Sequence, residues 1–177
     1  MDNSSENWKL VIGLGNPGQT YARTYHNAGE MAVTAIAGST EGFRKPFSVW
    51  RGKPFSYLKV NDVIFMKPTT YMNESGKAIA SAMKHFGITE DEIVIIHDDS
   101  DLPLGEYKAE KGRGSAGHNG IKSAIQYLGN QDFWRIRLGV RTDEGVKAGD
   151  LVLKKIPPRE TERLYEVISD IKTRYFE

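Results

Sequence analysis

Two hydrophobic rhythms alternate along this chain, one of short unbroken apolar runs and one at helical spacing. Residues 9–13 form a short apolar run closed by a glycine-rich turn, the pattern of a buried strand. Residues 28–37 fit a helix. Residues 55–60 and 63–66 flank Asn61-Asp62, a hairpin signal for two antiparallel strands, and Lys67-Pro68 closes the second. Over 74–86, Ala78, Ile79, Ala82, Met83 and Phe86 recur at helical spacing, with Gly87 as a stop. The unbroken run 93–96 predicts a central strand covered on both faces, ending at His97 and Asp98. Ligand chemistry in open α/β sheets gathers at such carboxyl ends. Beyond it, 104–109 predicts a strand and 119–128 a helix that starts directly after a glycine-rich loop. A further strand follows over 134–140. Pro157-Pro158 then introduces an amphipathic helix with Leu164, Val167, Ile168 and Ile171 on one face. With no internal repeat, linker or low-complexity tract, the pattern predicts a single α/β domain over 1–177, a twisted mixed β-sheet flanked by helices.

Composition narrows the chemistry. A chain of 177 residues, 39% hydrophobic and 27% charged with 18 glycines, fits a folded protein with one core and many turns. The absence of cysteine excludes disulfides, thiolate nucleophiles and Cys-ligated zinc, so catalysis must use oxygen or nitrogen groups. No apolar run approaches the roughly 20 residues that cross a bilayer, and the polar start over 1–7 lacks the apolar core of a secretory signal. The expectation is a cytoplasmic protein with no membrane partner. Net charge is only +1, but its distribution is uneven. Residues 44–84 carry a net +6, residues 90–101 hold six acids and no base, and residues 105–155 hold ten basic against six acidic side chains. Most of these are solvated surface charges, and some of the basic ones could converge on phosphates.

Gly13-Leu14-Gly15-Asn16-Pro17-Gly18 follows a strand and satisfies the G-x-G-x-x-G expression of dinucleotide sites. That fingerprint works because a helix starts within the glycines and offers its free N–H groups to a pyrophosphate. Pro17 removes one such donor and disfavours helical geometry at Asn16, and no acid stands at the spacing a ribose contact needs. The turn therefore reads as a mount that holds Asn16 extended, its amide toward a cleft, and no dinucleotide is expected. Asp98, Asp99 and Asp101 admit a metal cluster or a capping loop, with no second ligand group at suitable spacing. Asn73 and Asn119 each precede or open a helix, and capping is an alternative to ligand contact for both. Of the four histidines, His85 reads as an ordinary late-helix residue.

The motifs together resemble the bacterial-type peptidyl-tRNA hydrolases. The resemblance rests on Val11-Ile12-Gly13-Leu14-Gly15-Asn16-Pro17-Gly18, Tyr21 and His26-Asn27-Ala28-Gly29, then Lys67-Pro68-Thr69-Thr70-Tyr71-Met72-Asn73-Glu74-Ser75-Gly76-Lys77. It continues through His97-Asp98, Asp101-Leu102-Pro103 and Gly117-His118-Asn119-Gly120. It implies a monomeric, metal-independent hydrolase without cofactor, whose partner is peptidyl-tRNA and which recycles tRNA after premature release from ribosomes. By that resemblance His26 is the catalytic base and Asp98 the acid that orients it. Asn16, Asn73 and Asn119 are the amides that hold peptide, terminal nucleotide and attacking water, and Tyr21 and Met72 are cleft wall. The residue types suit an ester, an activated acyl group for which one water, one base near neutral pKa and an oxyanion donor suffice. His97 and His118 adjoin these positions and are expected at most to support them. Related proteins that bind RNA without hydrolysis form the second reading.

Some positions depart from the family's pattern. The run Asp99-Ser100-Asp101 has a serine where an apolar residue is common, which predicts a looser loop around Asp98. The glycine-rich loop reads Gly112-Arg113-Gly114-Ser115-Ala116-Gly117, and Glu110 stands where a phosphate-binding lysine is usual. Lys108, Lys111, Arg113 and Arg137 are the candidate tRNA phosphate contacts. Arg141-Thr142-Asp143-Glu144-Gly145 replaces a short turn.

Overall fold

The computed structural model describes residues 7–38, 46–49, 51–142 and 148–177, so most of the start over 1–7 and the end of the turn over 141–145 lie outside the described residues. Along the chain run β1 (Leu10–Gly13), α1 (Ala28–Gly38), β2 (Ser48–Val49), β3 (Phe55–Val60), β4 (Val63–Pro68), α2 (Ser75–Phe86), β5 (Ile93–Pro103), β6 (Tyr107–Lys111), α3 (Asn119–Leu128), β7 (Trp134–Arg141), α4 (Ala148–Leu151) and α5 (Pro158–Tyr175). Single turns of 3-10 helix stand at Tyr25–Asn27, Met72–Glu74 and Glu90–Glu92.

The strands form one mixed sheet in the order β2-β3-β4-β1-β5-β7-β6. Its centre, β4-β1-β5-β7, is parallel, and antiparallel pairs close both edges. Parallel strands must be covered on both faces, which explains the unbroken apolar runs. Val11, Val94 and Ile96 pack toward α1 and α5, while Leu10, Ile12, Ile93 and Ile95 pack toward α2 and α3. Each such side chain contributes on the order of 1.5–3 kcal/mol by leaving water.

The chain leaving β1 turns toward the α1 face, whereas the chain leaving β4 turns toward the α2 face. A crevice opens beyond their carboxyl ends, the position where open α/β sheets bind ligands. Gly29 allows α1 to approach it closely: a Cβ there would lie 2.1 Å from the Ile96 carbonyl oxygen and 2.8 Å from the Leu14 nitrogen. The start of α1 is thereby seated against β5 one residue before His97.

The expected elements are all present, β2 and α4 are additional, and three of the expected ones differ notably in extent. β5 continues through Asp98 to Pro103, with His97, Asp98 and Asp99 paired to Arg137, Leu138 and Gly139 of β7 and a register shift before Pro103. Asp98 therefore sits within a strand, not on a loop that Ser100 could loosen. The polar run hid the strand because its side chains meet the cleft and an arginine instead of the apolar core. β6 begins three residues later than expected, because Gly105, at φ 97, reverses the chain first. α2 starts at Ser75 after a 3-10 turn instead of at Glu74.

Candidate active site

A cleft of about 680 Å³ lies beyond the carboxyl ends of β1, β4 and β5, and Asn16, Tyr21, His26, Met72, Asn73, Asp98 and Asn119 all line it. These are the catalytic and substrate-binding candidates read from the sequence, drawn from positions up to 103 residues apart. The candidate phosphate contacts are not among the lining residues.

His26 stands in the 3-10 turn before α1 and is buried, as is Asp98. Its Nδ1 lies 2.9 and 3.0 Å from the two Asp98 carboxylate oxygens. Burial alone would raise the Asp98 pKa, but interactions with His118 and then His26 outweigh it and hold the carboxyl well below the usual carboxylate range. An ionised carboxylate only accepts, so Nδ1 carries the proton and Nε2 is the nitrogen left for the cleft.

Asp98 holds a second histidine. His118 is the N-cap of α3, its Nδ1 accepting from the Gly120 and Ile121 N–H groups at 3.1 and 3.3 Å. A lone pair on Nδ1 puts the proton of the neutral ring on Nε2, which donates to Asp98 Oδ1 at 2.9 Å. The helix terminus thus selects the tautomer that serves Asp98. His26, Asp98 and His118 present ligand-type atoms within 4.8 Å of one another, a grouping that could in principle hold a metal ion. Both histidine nitrogens that face Asp98 carry protons in this arrangement, which is a hydrogen-bonded chain and not a set of open lone pairs. His97 is buried behind them, its Nδ1 donating to the Asp98 carbonyl at 2.7 Å and its ring 4.8 Å from that of His118.

The asparagines are positioned in different ways. Asn27, which the sequence reading did not assign, pairs its side chain with the main chain of Asn16: Oδ1 accepts from Asn16 N and Nδ2 donates to Asn16 O, both at 2.9 Å. Asn16 Oδ1 in turn accepts from Met72 N at 2.8 Å, tying β1's turn to β4's and leaving the Asn16 amide nitrogen for the cleft. No helix begins at the glycines, since α1 starts only at Ala28, which removes the structural basis of the dinucleotide alternative. Capping does not account for Asn73 or Asn119. Tyr71 and Glu74 occupy the cap positions around Asn73 without side-chain cap bonds, and His118 caps α3. Both amides are exposed on the cleft. Tyr21 meets Tyr71 edge to face, with centroids 6.2 Å apart.

Residues 10–175 match the family model described as Peptidyl-tRNA hydrolase. The chain belongs to the peptidyl-tRNA hydrolase family. A peptidyl-tRNA hydrolase from Brevibacillus brevis is 39% identical over 164 residues, covering 91% of this chain and 86% of the relative. One from Mesoplasma florum is 42% identical over 160 residues, covering 88% and 84%. The crystal structure of peptidyl-tRNA hydrolase from Acinetobacter baumannii superposes with a TM-score of 0.82 at 28% identity, covering 95% of this chain and 86% of that one.

Within this hydrolase-family chain the basic candidates separate. Arg137 is buried, its Nε donating to Asp99 at 2.6 Å and its Nη1 to Glu110 at 2.7 Å. It is thus engaged inside the protein rather than presented to a phosphate, a correction to the expectation drawn from its position. Glu110 completes that internal pair, which gives the unusual acid a structural role. Arg113 is half exposed, 3.5 Å from Glu110, and Lys108 is exposed on β6. Lys111 is 2.7 Å from Asp91. Arg135, fully buried, donates to the carbonyls of Arg113 and Gly114 and pins the glycine-rich loop from below. Its strand position among apolar neighbours carried no sequence signal for that role.

Proposed function

We propose that the chain hydrolyses the ester joining peptide to tRNA in peptidyl-tRNA, with His26 as the base on an attacking water and Asp98 orienting it. The observation that carries this reading is the pair of contacts from His26 Nδ1 to the buried Asp98 carboxylate, which fixes the ring and turns Nε2 to the cleft. Nε2 takes a proton as the water oxygen attacks the ester carbonyl carbon, and Asp98 stabilises the imidazolium that forms. Neutral amides of Asn16, Asn73 and Asn119 supply donors to the developing oxyanion and to substrate without disturbing the base. Collapse breaks the bond to the ribose oxygen, which receives the proton from His26, leaving a free peptide and tRNA.

The reading includes action as a monomer. Among the described residues no helix is long and apolar enough to cross a membrane. A cytoplasmic site of action matches the substrate. Arg113 and Lys108 are the exposed candidates for tRNA phosphates, with Lys111 beside them. The test is hydrolysis of purified peptidyl-tRNA by wild type, His26→Ala and Asp98→Asn. His26→Ala is expected to lower kcat by about 10²–10⁴. Full activity in that variant would overturn the assignment.

A further inference from the structure

We infer that Lys155 is a positioning residue that holds the Tyr21 wall of the cleft in place. Between Gly18 and Thr24 the main chain closes on itself in only part. Tyr21 N and Ala22 N both donate to Gly18 O at 3.2 Å, while Thr24 donates to Tyr21 O from its nitrogen at 3.1 Å and its hydroxyl at 2.8 Å. Among the described residues, no main-chain donor serves the carbonyls of Gln19, Thr20 and Ala22. Lys155 Nζ donates to all three, at 3.2, 2.8 and 2.5 Å. An ammonium has three N–H groups, and here each has a carbonyl.

The base of this clamp is held by main-chain bonds. Thr24 and Lys155 form an antiparallel bridge, Tyr25 N donates to Lys154 O at 3.1 Å, His26 N to Val152 O at 2.8 Å and Ile156 N to Arg23 O at 2.9 Å. The same segment brings Val152 and Leu153 into the lining of the cleft that Tyr21 also lines. Gly18, Gln19 and Thr20 are exposed and have no apolar anchor, so beyond the bonds to Gly18 O and Tyr21 O and the Tyr21–Tyr71 ring contact, Lys155 supplies the remaining hold on the turn. A compact ammonium meets three converging carbonyls, whereas the planar fork of arginine suits a carboxylate or phosphate. His26 is held separately by Asp98, so loss of the clamp affects substrate fit more than the proton transfer.

The kinetic consequence rests on the peptidyl-tRNA reading; the ordering of the turn does not. Lys155→Met keeps the apolar stem and removes the donors. Its amides over 19–24 are expected to exchange with deuterium about tenfold faster while those of β1 and β5 are unchanged. On peptidyl-tRNA its KM is expected to rise about tenfold with kcat within about a factor of two. Lys155→Arg should not restore either property. In a Tyr21→Ala background Lys155→Met should change KM by less than about twofold, because the two act through one wall. Unchanged exchange over 19–24, faster exchange throughout the sheet, or full additivity with Tyr21→Ala would each overturn the proposal. A wild type that does not cleave peptidyl-tRNA would refute the functional reading and leave the exchange measurement to decide the clamp.

Discussion

Asp98 carries two histidines on one carboxylate, and only one of them was legible as functional. His26 stood out through its motif and through the chemistry an ester needs. His118 reads in sequence as a supporting residue at most, because its contribution depends on a helix terminus that fixes its tautomer, which spacing does not encode. His118→Asn can still cap α3 through its side-chain oxygen but loses the donor to Asp98. Its kcat is expected to fall roughly tenfold or more, and because a lost bond to a buried charged group costs about 1.5–3 kcal/mol, its Tm is expected to fall by several degrees even though the cap is kept. Thermal unfolding beside single-turnover hydrolysis checks both halves. His97 acts on stability. Burial, its largest influence, pushes this imidazole from an ordinary 6.5 down to about 3. Below pH 6.5 the unfolded chain binds a proton that folded His97 refuses, so stability falls with pH from 6.5 toward 3 and is unaffected by this group above that window. From pH 6.5 to 5 the loss is about 2 kcal/mol. Urea unfolding of wild type and His97→Gln above and below this window should show the variant losing about 2 kcal/mol less on acidification, and equal losses would refute the assignment.

Most elements were legible, and β5 is the main exception. α3, β1 and β7 appear close to where the apolar pattern puts them, because apolar residues there serve packing. β5 was truncated in the sequence reading at the point where its side chains stop packing and begin to carry charge, at Asp98 and Asp99. The same reasoning separates Arg137 from Arg113. Arg137→Met would leave Asp99 and Glu110 without their buried partner and is expected to cost about 3–5 kcal/mol in urea unfolding, with no specific change in the salt dependence of KM. Gly29 makes the element-level case from the other side. Gly29→Ala would press a methyl group against the Ile96 carbonyl at 2.1 Å and push α1 away from β5. About 1–3 kcal/mol of stability should be lost, and kcat should fall by more than that loss explains, since His26 moves with α1 and Asp98 with β5.

At the scale of the molecule, the cleft joins the two faces of the sheet: His26 belongs to the α1 side, His118 and Asn119 to the α3 side, and Asp98 to the strand between them. Phosphate contacts predict that log affinity for peptidyl-tRNA falls linearly with log salt, and Arg113→Ala should reduce that slope by about one while leaving stability within about 0.5 kcal/mol. An unchanged slope would remove Arg113 from the tRNA surface. Because the cleft draws on positions from Asn16 to Leu153, no early fragment of the chain contains it. During its own synthesis this protein is itself a peptide esterified to tRNA. Only Val152 and Leu153 complete the lining of the cleft, so the growing chain has no finished cleft until little more than α5 remains to be made.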